Sequence, residues 1–147
     1  MLRIYLDTCS IQRPLDAPTK TRIRLEAEAI LALFEQINAG KIELISSTIL
    51  AFEIARNPLA ERRELSEQFL QKAAFSIEVN KQIAERAAMF VSYGIKSADA
   101  LHLAAAESAT VDYFCTCDDR FLRRVKNLPN LQLRAVSPLE LMEVIKR

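Results

Sequence analysis

Glycine, cysteine and histidine are scarce in this chain, and no long apolar run is present. Two glycines among 147 residues leave little material for a flexible linker, and no repeat or low-complexity tract interrupts the sequence. One compact domain over residues 1–147 is therefore expected. The cysteines number three, Cys9, Cys115 and Cys117, an odd count that fits reduced thiols better than a disulfide framework. The apolar run at the start ends at Asp7, too short for the core of a secretion signal, and nothing later approaches the roughly 20 apolar residues of a membrane span. A cytoplasmic protein with no membrane partner is expected. Charge of one sign is missing as well: 20 Lys and Arg face 19 Asp and Glu. No whole-molecule field draws the chain onto nucleic acid, so any such attraction must come from local patches. Aromatic residues make up 7% of the chain, and no base-stacking platform is visible.

What is present is a rhythm of short apolar runs and amphipathic stretches. Arg3 to Leu6 reads as a buried strand ended by Asp7. The segment Gln12 to Thr19, with Pro14 and Pro18, reads as a loop. From Thr21 to Ala39 apolar residues recur at three and four and Gly40 supplies the stop, which predicts a helix. Lys41 to Ile45 predicts a second strand, Ser46 to Thr48 offer caps for a short helix to Arg56, and a further helix spans about Ala60 to Ala73. Phe75 to Val79 is a short β-like connection. Asn80 can cap a helix through Phe90, Ser97 one to Ala109, and Asp118 one to Lys126, with a strand at Tyr113 to Cys117. Leu131 to Val136 and Ser137 to Lys146 complete the pattern as strand and helix. Alternation of buried strands with helices predicts a three-layer α/β/α fold around a mostly parallel sheet.

Four acids stand beside apolar segments at element boundaries: Asp7, Glu53, Asp99 and Asp118. A buried carboxylate without a partner costs roughly several kcal/mol, so four of them call for a shared cation. Each also has a bland reading. Asp7 can start an Asx-turn, Asp118 can cap a helix, and Asp99 in a first turn is favoured by the helix dipole. Glu53, between Phe52 and Ile54, has no comparable local account. In open α/β sheets ligands bind outside the carboxyl ends of the strands, where Asp7 and Asp118 fall.

The segments Ile4-Tyr5-Leu6-Asp7-Thr8, Glu53 in the helix after the second strand, Ser97-Ala98-Asp99-Ala100-Leu101-His102 and Thr116-Cys117-Asp118-Asp119-Arg120-Phe121 together resemble the PIN-domain family, in particular its VapC-like ribonucleases. The resemblance implies that Asp7, Glu53, Asp99 and Asp118 form an acidic, metal-binding catalytic set and that Thr116 is the hydroxyl preceding the last acid. It implies a Mg²⁺- or Mn²⁺-dependent endoribonuclease that leaves a 3′-hydroxyl and a 5′-phosphate, acting as the toxin of a toxin–antitoxin pair, with RNA as substrate, an antitoxin protein as partner and a homodimer as assembly. Cys9 departs from the pattern, since relatives usually carry Asn or Ser there.

Hard divalent ions prefer oxygen ligands and leave positions for phosphate oxygens and water, which suits phosphodiester hydrolysis. Asp7 and Asp99 are the expected direct or water-mediated ligands, Asp118 a ligand or its support, and Glu53 a water-positioning group or base. Thr8, Ser97 and Thr116 are expected to orient carboxylates. His102, the only histidine, shares a helix face with Asp99, and packing or a surface position is the expectation for it over catalysis. Cys115 and Cys117 read as small buried hydrophobes. Basic residues around the first loop (Arg13, Lys20, Arg22, Arg24) and after Asp118 (Arg120, Arg123, Arg124, Lys126) are candidates for phosphate contacts. Two competing readings remain: a PIN-like protein-binding module with weak or no nuclease activity and an exposed apolar groove, and a phosphatase or phosphoacceptor domain of similar α/β layout with Asp7 as nucleophile. Cys9 counts against the phosphatase version, because it stands where a phosphatase would carry a second acid.

Overall fold

The computed structural model describes residues 1–145. Chain order is β1 (Leu2–Leu6), α1 (Thr8–Gln12), a 3₁₀ turn (Arg13–Leu15), α2 (Thr21–Asn38), β2 (Ile42–Ser47), α3 (Thr48–Ala55), α4 (Ala60–Leu70) and β3 (Phe75–Ile77). It continues with α5 (Lys81–Ser92), α6 (Ser97–Ser108), β4 (Tyr113–Cys115), α7 (Asp119–Lys126), β5 (Arg134–Val136) and α8 (Pro138–Ile145). Parallel strands need crossover connections, and a helix lies between every successive pair.

The five strands form one all-parallel sheet in the order β3-β2-β1-β4-β5. The sheet thus grows outward from β1 in one direction and then, after β3, in the other. That reversal puts a topological switch point at the carboxyl ends of β1 and β4, where neighbouring loops diverge and leave a crevice. Tyr5 pairs with Phe114 and Leu6 with Cys115 across that border.

The central strands are buried on both faces, with Ile4, Tyr5, Leu6, Ile45, Phe114 and Cys115 out of solvent. Each such side chain contributes about 1.5–3 kcal/mol of transfer free energy. Tyr5 stacks on Phe114 at 5.4 Å, and Phe114 meets Phe121 of α7 edge-on at 5.6 Å, which fixes α7 over the end of β4. On α6 the buried residues include Ala100, Ala104, Ala105 and Ala106, whose small side chains let it lie close to α5 and β2. On the opposite side of the sheet, Ser10 of α1 bonds the carbonyl of Cys115 at 3.2 Å, and α2 packs against α8. The result is the three-layer α/β/α architecture expected, with a fully parallel sheet.

Several boundaries differ from the sequence reading. The segment expected as loop from Gln12 begins inside α1 and continues as a 3₁₀ turn, because Asp7 caps a helix there and Pro14 occupies a first-turn position that needs no N–H. Ser46 and Ser47 extend β2, and Ser47 alone caps α3 by accepting from Leu50 N. Ser97 is the first residue of α6 and does not cap it; Lys96 is the capping position and makes no side-chain cap bond. β4 stops at Cys115, β5 starts only at Arg134, and α4 ends at Leu70. Lys146, expected to end the last helix, lies outside the described residues.

Candidate active site

Asp7 follows β1 directly, and its backbone N–H donates to Cys115 O at 3.2 Å, locking the two strand ends together. Its Oδ1 accepts from Ser10 N and from the Cys9 thiol, both at 3.1 Å, so one oxygen is spent on capping α1. The side chain is only 4% exposed. Burial pushes its pKa well above the usual carboxylate range, with the Thr116 hydroxyl pulling the other way. Thr116 is itself buried and accepts from Asp118 N at 3.1 Å, so the expected orienting hydroxyl stands between two of the acids. Asp118 caps α7 through Phe121 N at 3.1 Å and is exposed.

The helix α6 leads into β4, so its first turn lies at the carboxyl edge of the sheet, and Asp99 stands in that turn, half-buried. Burial raises its pKa, and the negative charges of Asp118 and Glu53 raise it further, against His102 and Lys96. Asp99 and Asp118 line one small cavity together with Lys96, Arg120 and Arg124. Glu53, on α3, accepts from Thr8 Oγ1 at 2.5 Å and bonds His102 Nε2 at 2.7 Å through the same oxygen, Oε1. Burial acts to raise Glu53, but these two donors outweigh it and hold the carboxyl below its ordinary value.

The four acids thus meet in one neighbourhood: Thr8 ties Asp7's helix to Glu53, His102 ties Glu53 to Asp99's helix, and Asp99 shares a cavity with Asp118. Among the described residues, no three His, Cys, Asp or Glu side chains converge on one point that could hold a metal ion. The donor set is nonetheless all carboxylate oxygen, with Asp7 desolvated and Asp99 repelled by two other acids. Relief of desolvation and repulsion is what a hard divalent cation supplies.

From the sequence, packing or a surface position is expected for His102. In the structure it is 2% exposed and hydrogen-bonded at both ring nitrogens, to Glu53 and to Tyr5 Oη at 2.6 Å. Tyr5 Oη also bonds Ser47 Oγ at 2.6 Å. Tyr5 and Ser47 escaped notice in the sequence; the available signal was a tyrosine in a fully buried strand, whose hydroxyl must find a partner. Ser97 is exposed, unlike Thr8 and Thr116, which each touch the acidic set. Of the basic residues, Arg13 turns inward to Glu26 and Asp16, Arg22 pairs with Asp119, Arg124 bonds Gly94 O, and Lys126 pairs with Glu140. Cys115 and Cys117 are buried, as expected.

No helix among the described residues is long and apolar enough to cross a membrane. A search of curated protein sequences finds no match. The fold is similar to a solved structure described as VapBC2 from Rickettsia felis bound to a DNA fragment from their promoter. The TM-score is 0.63 at 14% identity, over 92% of this chain and 98% of that one. The family model for the PIN domain matches residues 4–127, a span that contains all four acids, all of β4 and β1 from Ile4 onward. The chain belongs to the PIN-domain family.

Proposed function

We propose that this protein is a Mg²⁺- or Mn²⁺-dependent endoribonuclease, the toxin of a VapBC-type pair, acting in the cytoplasm as a homodimer. The observation that carries the reading is the gathering of Asp7, Glu53, Asp99 and Asp118 at the carboxyl edge of β1 and β4, in a chain of the PIN-domain family.

Asp7 and Asp99 would hold the ion, with Asp118 as a further ligand or as a support through water. When bound, the ion would supply an activated water and stabilise charge on the scissile phosphate. Glu53 orients the attacking water or takes its proton, since Thr8 and His102 keep the carboxylate ionised and aimed. Thr116 anchors the turn that carries Asp118 by accepting from its backbone N–H, and Lys96 and Arg120 beside Asp99 and Asp118 attract the phosphate backbone without reading sequence.

A protein partner is supported by an open apolar groove lined by Ile11, Leu15, Leu31, Phe34, Leu65 and Phe69. The fold neighbour is described as VapBC2, and a small antitoxin would bury this surface. Growth arrest on expression, relieved by co-expressing a small adjacent protein, is the expected result for a toxin.

The decisive experiment incubates purified protein with single-stranded and structured RNA in Mg²⁺, Mn²⁺ or EDTA, beside Asp7→Asn and Asp99→Asn. Cleavage in either metal, abolished by EDTA and reduced at least about 100-fold in both folded variants, is the expected outcome. Equal activity in wild type and Asp7→Asn would defeat the enzyme reading and leave the groove, and a binding function, as the better account.

A further inference from the structure

A chain of four side chains runs through the protein interior to Glu53, and the family match assigns none of the three that precede it a role. Ser47 Oγ lies 2.6 Å from Tyr5 Oη, Tyr5 Oη lies 2.6 Å from His102 Nδ1, and His102 Nε2 lies 2.7 Å from Glu53 Oε1. Ser47, Tyr5 and His102 are almost fully buried, at 0%, 0% and 2% exposed. They come from β2, β1 and α6, so the chain bridges the sheet and the helix layer.

The donors and acceptors can be counted. Ionised Glu53 only accepts, so a proton on Nε2 finds an acceptor there. Ser47 Oγ already accepts from Leu50 N at 3.1 Å in capping α3. If Ser47 donates to Tyr5 and Tyr5 donates to Nδ1, every proton has an acceptor and the imidazole is the Nε2–H form. The reverse direction, with Nδ1–H donating to Tyr5 and Tyr5 to Ser47, leaves the buried Ser47 hydroxyl proton without an acceptor in this chain, a costly arrangement. The one consistent polarity therefore runs from Ser47 toward Glu53.

We propose that Ser47 and Tyr5 lock His102 in the Nε2–H tautomer, and that His102 thereby acts as a positioning residue that holds the Glu53 carboxylate toward the crevice. Glu53 sits on α3, an eight-residue helix, and its own side chain has three rotatable bonds; without His102 only Thr8 would fix it. A hydrogen-bonded imidazole on a ring-stacked tyrosine is a far stiffer support, because Tyr5 is clamped by Phe114 at 5.4 Å and by His102 edge-on at 5.7 Å. The importance of the positioning for cleavage rests on the nuclease reading, whereas the tautomer does not.

The test uses the full chain without added histidines. His102 is the only histidine, so ¹⁵N-labelled protein gives a single imidazole spin system. Wild type should show a protonated Nε2 and an unprotonated Nδ1 in one non-exchanging form, and Tyr5→Phe, which removes only the hydroxyl, should show a mixture of tautomers. A wild-type Nδ1–H form, or the same tautomer population in wild type and Tyr5→Phe, overturns the proposal. In RNA cleavage with Mg²⁺ or Mn²⁺, Tyr5→Phe should lower kcat about tenfold with KM within about twofold, as for other groups that orient a site residue. His102→Gln, whose amide can still donate to Glu53, should retain several-fold more kcat than His102→Leu. Equal loss in those two variants, or a change confined to KM, overturns positioning by His102. Should wild type show the predicted tautomer and yet cleave no RNA, the nuclease reading fails and the hydrogen-bond lock is supported independently.

Discussion

At Asp7 the carboxylate caps α1 with one oxygen while lying almost wholly out of water, and burial raises its pKa well above the ordinary value. A raised acid favours folding fully below its unfolded pKa of about 4, and that contribution is lost as pH rises through the folded value. Asn at the same position keeps an oxygen for Ser10 N and carries no charge. Asp7→Asn should therefore gain stability over metal-free wild type as pH rises from about 4.5 to 7.5, reaching about 1 kcal/mol or more. Urea unfolding at the two pH values measures this, and a pH-independent difference would contradict it. Glu53 carries the opposite sign: its lowered pKa gives stability that is present above the unfolded value and lost on acidification, so comparing wild type with Asp7→Asn isolates Asp7. The acids could be singled out in the sequence because each interrupts an apolar segment. Tyr5 and Ser47 could not, since their partners lie 97 and 42 residues away and leave no local trace.

Between α5 and α6 the chain turns at Gly94, whose φ of +94° is one that only glycine adopts readily. A Cβ there would also stand 2.7 Å from Arg124 Nη1, which donates to the Gly94 carbonyl. Gly40, after α2, has φ +74° but open space around the missing Cβ. Gly40→Ala should cost about 1 kcal/mol from backbone strain alone. Gly94→Ala should cost about 1 kcal/mol more, because Arg124 must move and surrender its hydrogen bond. Denaturant melts of both, of Arg124→Ala and of the double variant separate the two contributions; in the Arg124→Ala background Gly94→Ala should cost only the strain of about 1 kcal/mol. Periodicity located most helices, since apolar residues at three and four and caps such as Asn80 and Asp118 are local signals. It failed at α1, where the prolines suggested loop while Asp7 was in fact a cap, and at Ser97, where an exposed serine looked like a cap but lies one position inside the helix.

On the scale of the whole molecule, the four acids come from the ends or first turns of α1, α3, α6 and α7, and only the strand order β3-β2-β1-β4-β5 gathers them. The alternation of elements announced a parallel sheet, but strand order is a tertiary choice that no single segment encodes. The unfolded chain scatters the same carboxylates over 112 positions of sequence, from Asp7 to Asp118. A divalent cation that binds them must then bind the folded state far more tightly, and binding adds stability as RT ln(1 + [L]/Kd), about 2.7 kcal/mol at 100 times Kd. Wild type should gain Tm with Mg²⁺ or Mn²⁺, by about 2–4 °C for each kcal/mol in a chain of this size. Sodium chloride at matched ionic strength should not reproduce the gain, because screening acts on exposed charges and leaves a buried carboxylate such as Asp7 nearly untouched. Asp7→Asn should start from a higher metal-free Tm and respond little to the ion. An equal rise in wild type and variant would place the cation elsewhere, and the acidic crevice would then owe its charges to caps and hydrogen bonds alone.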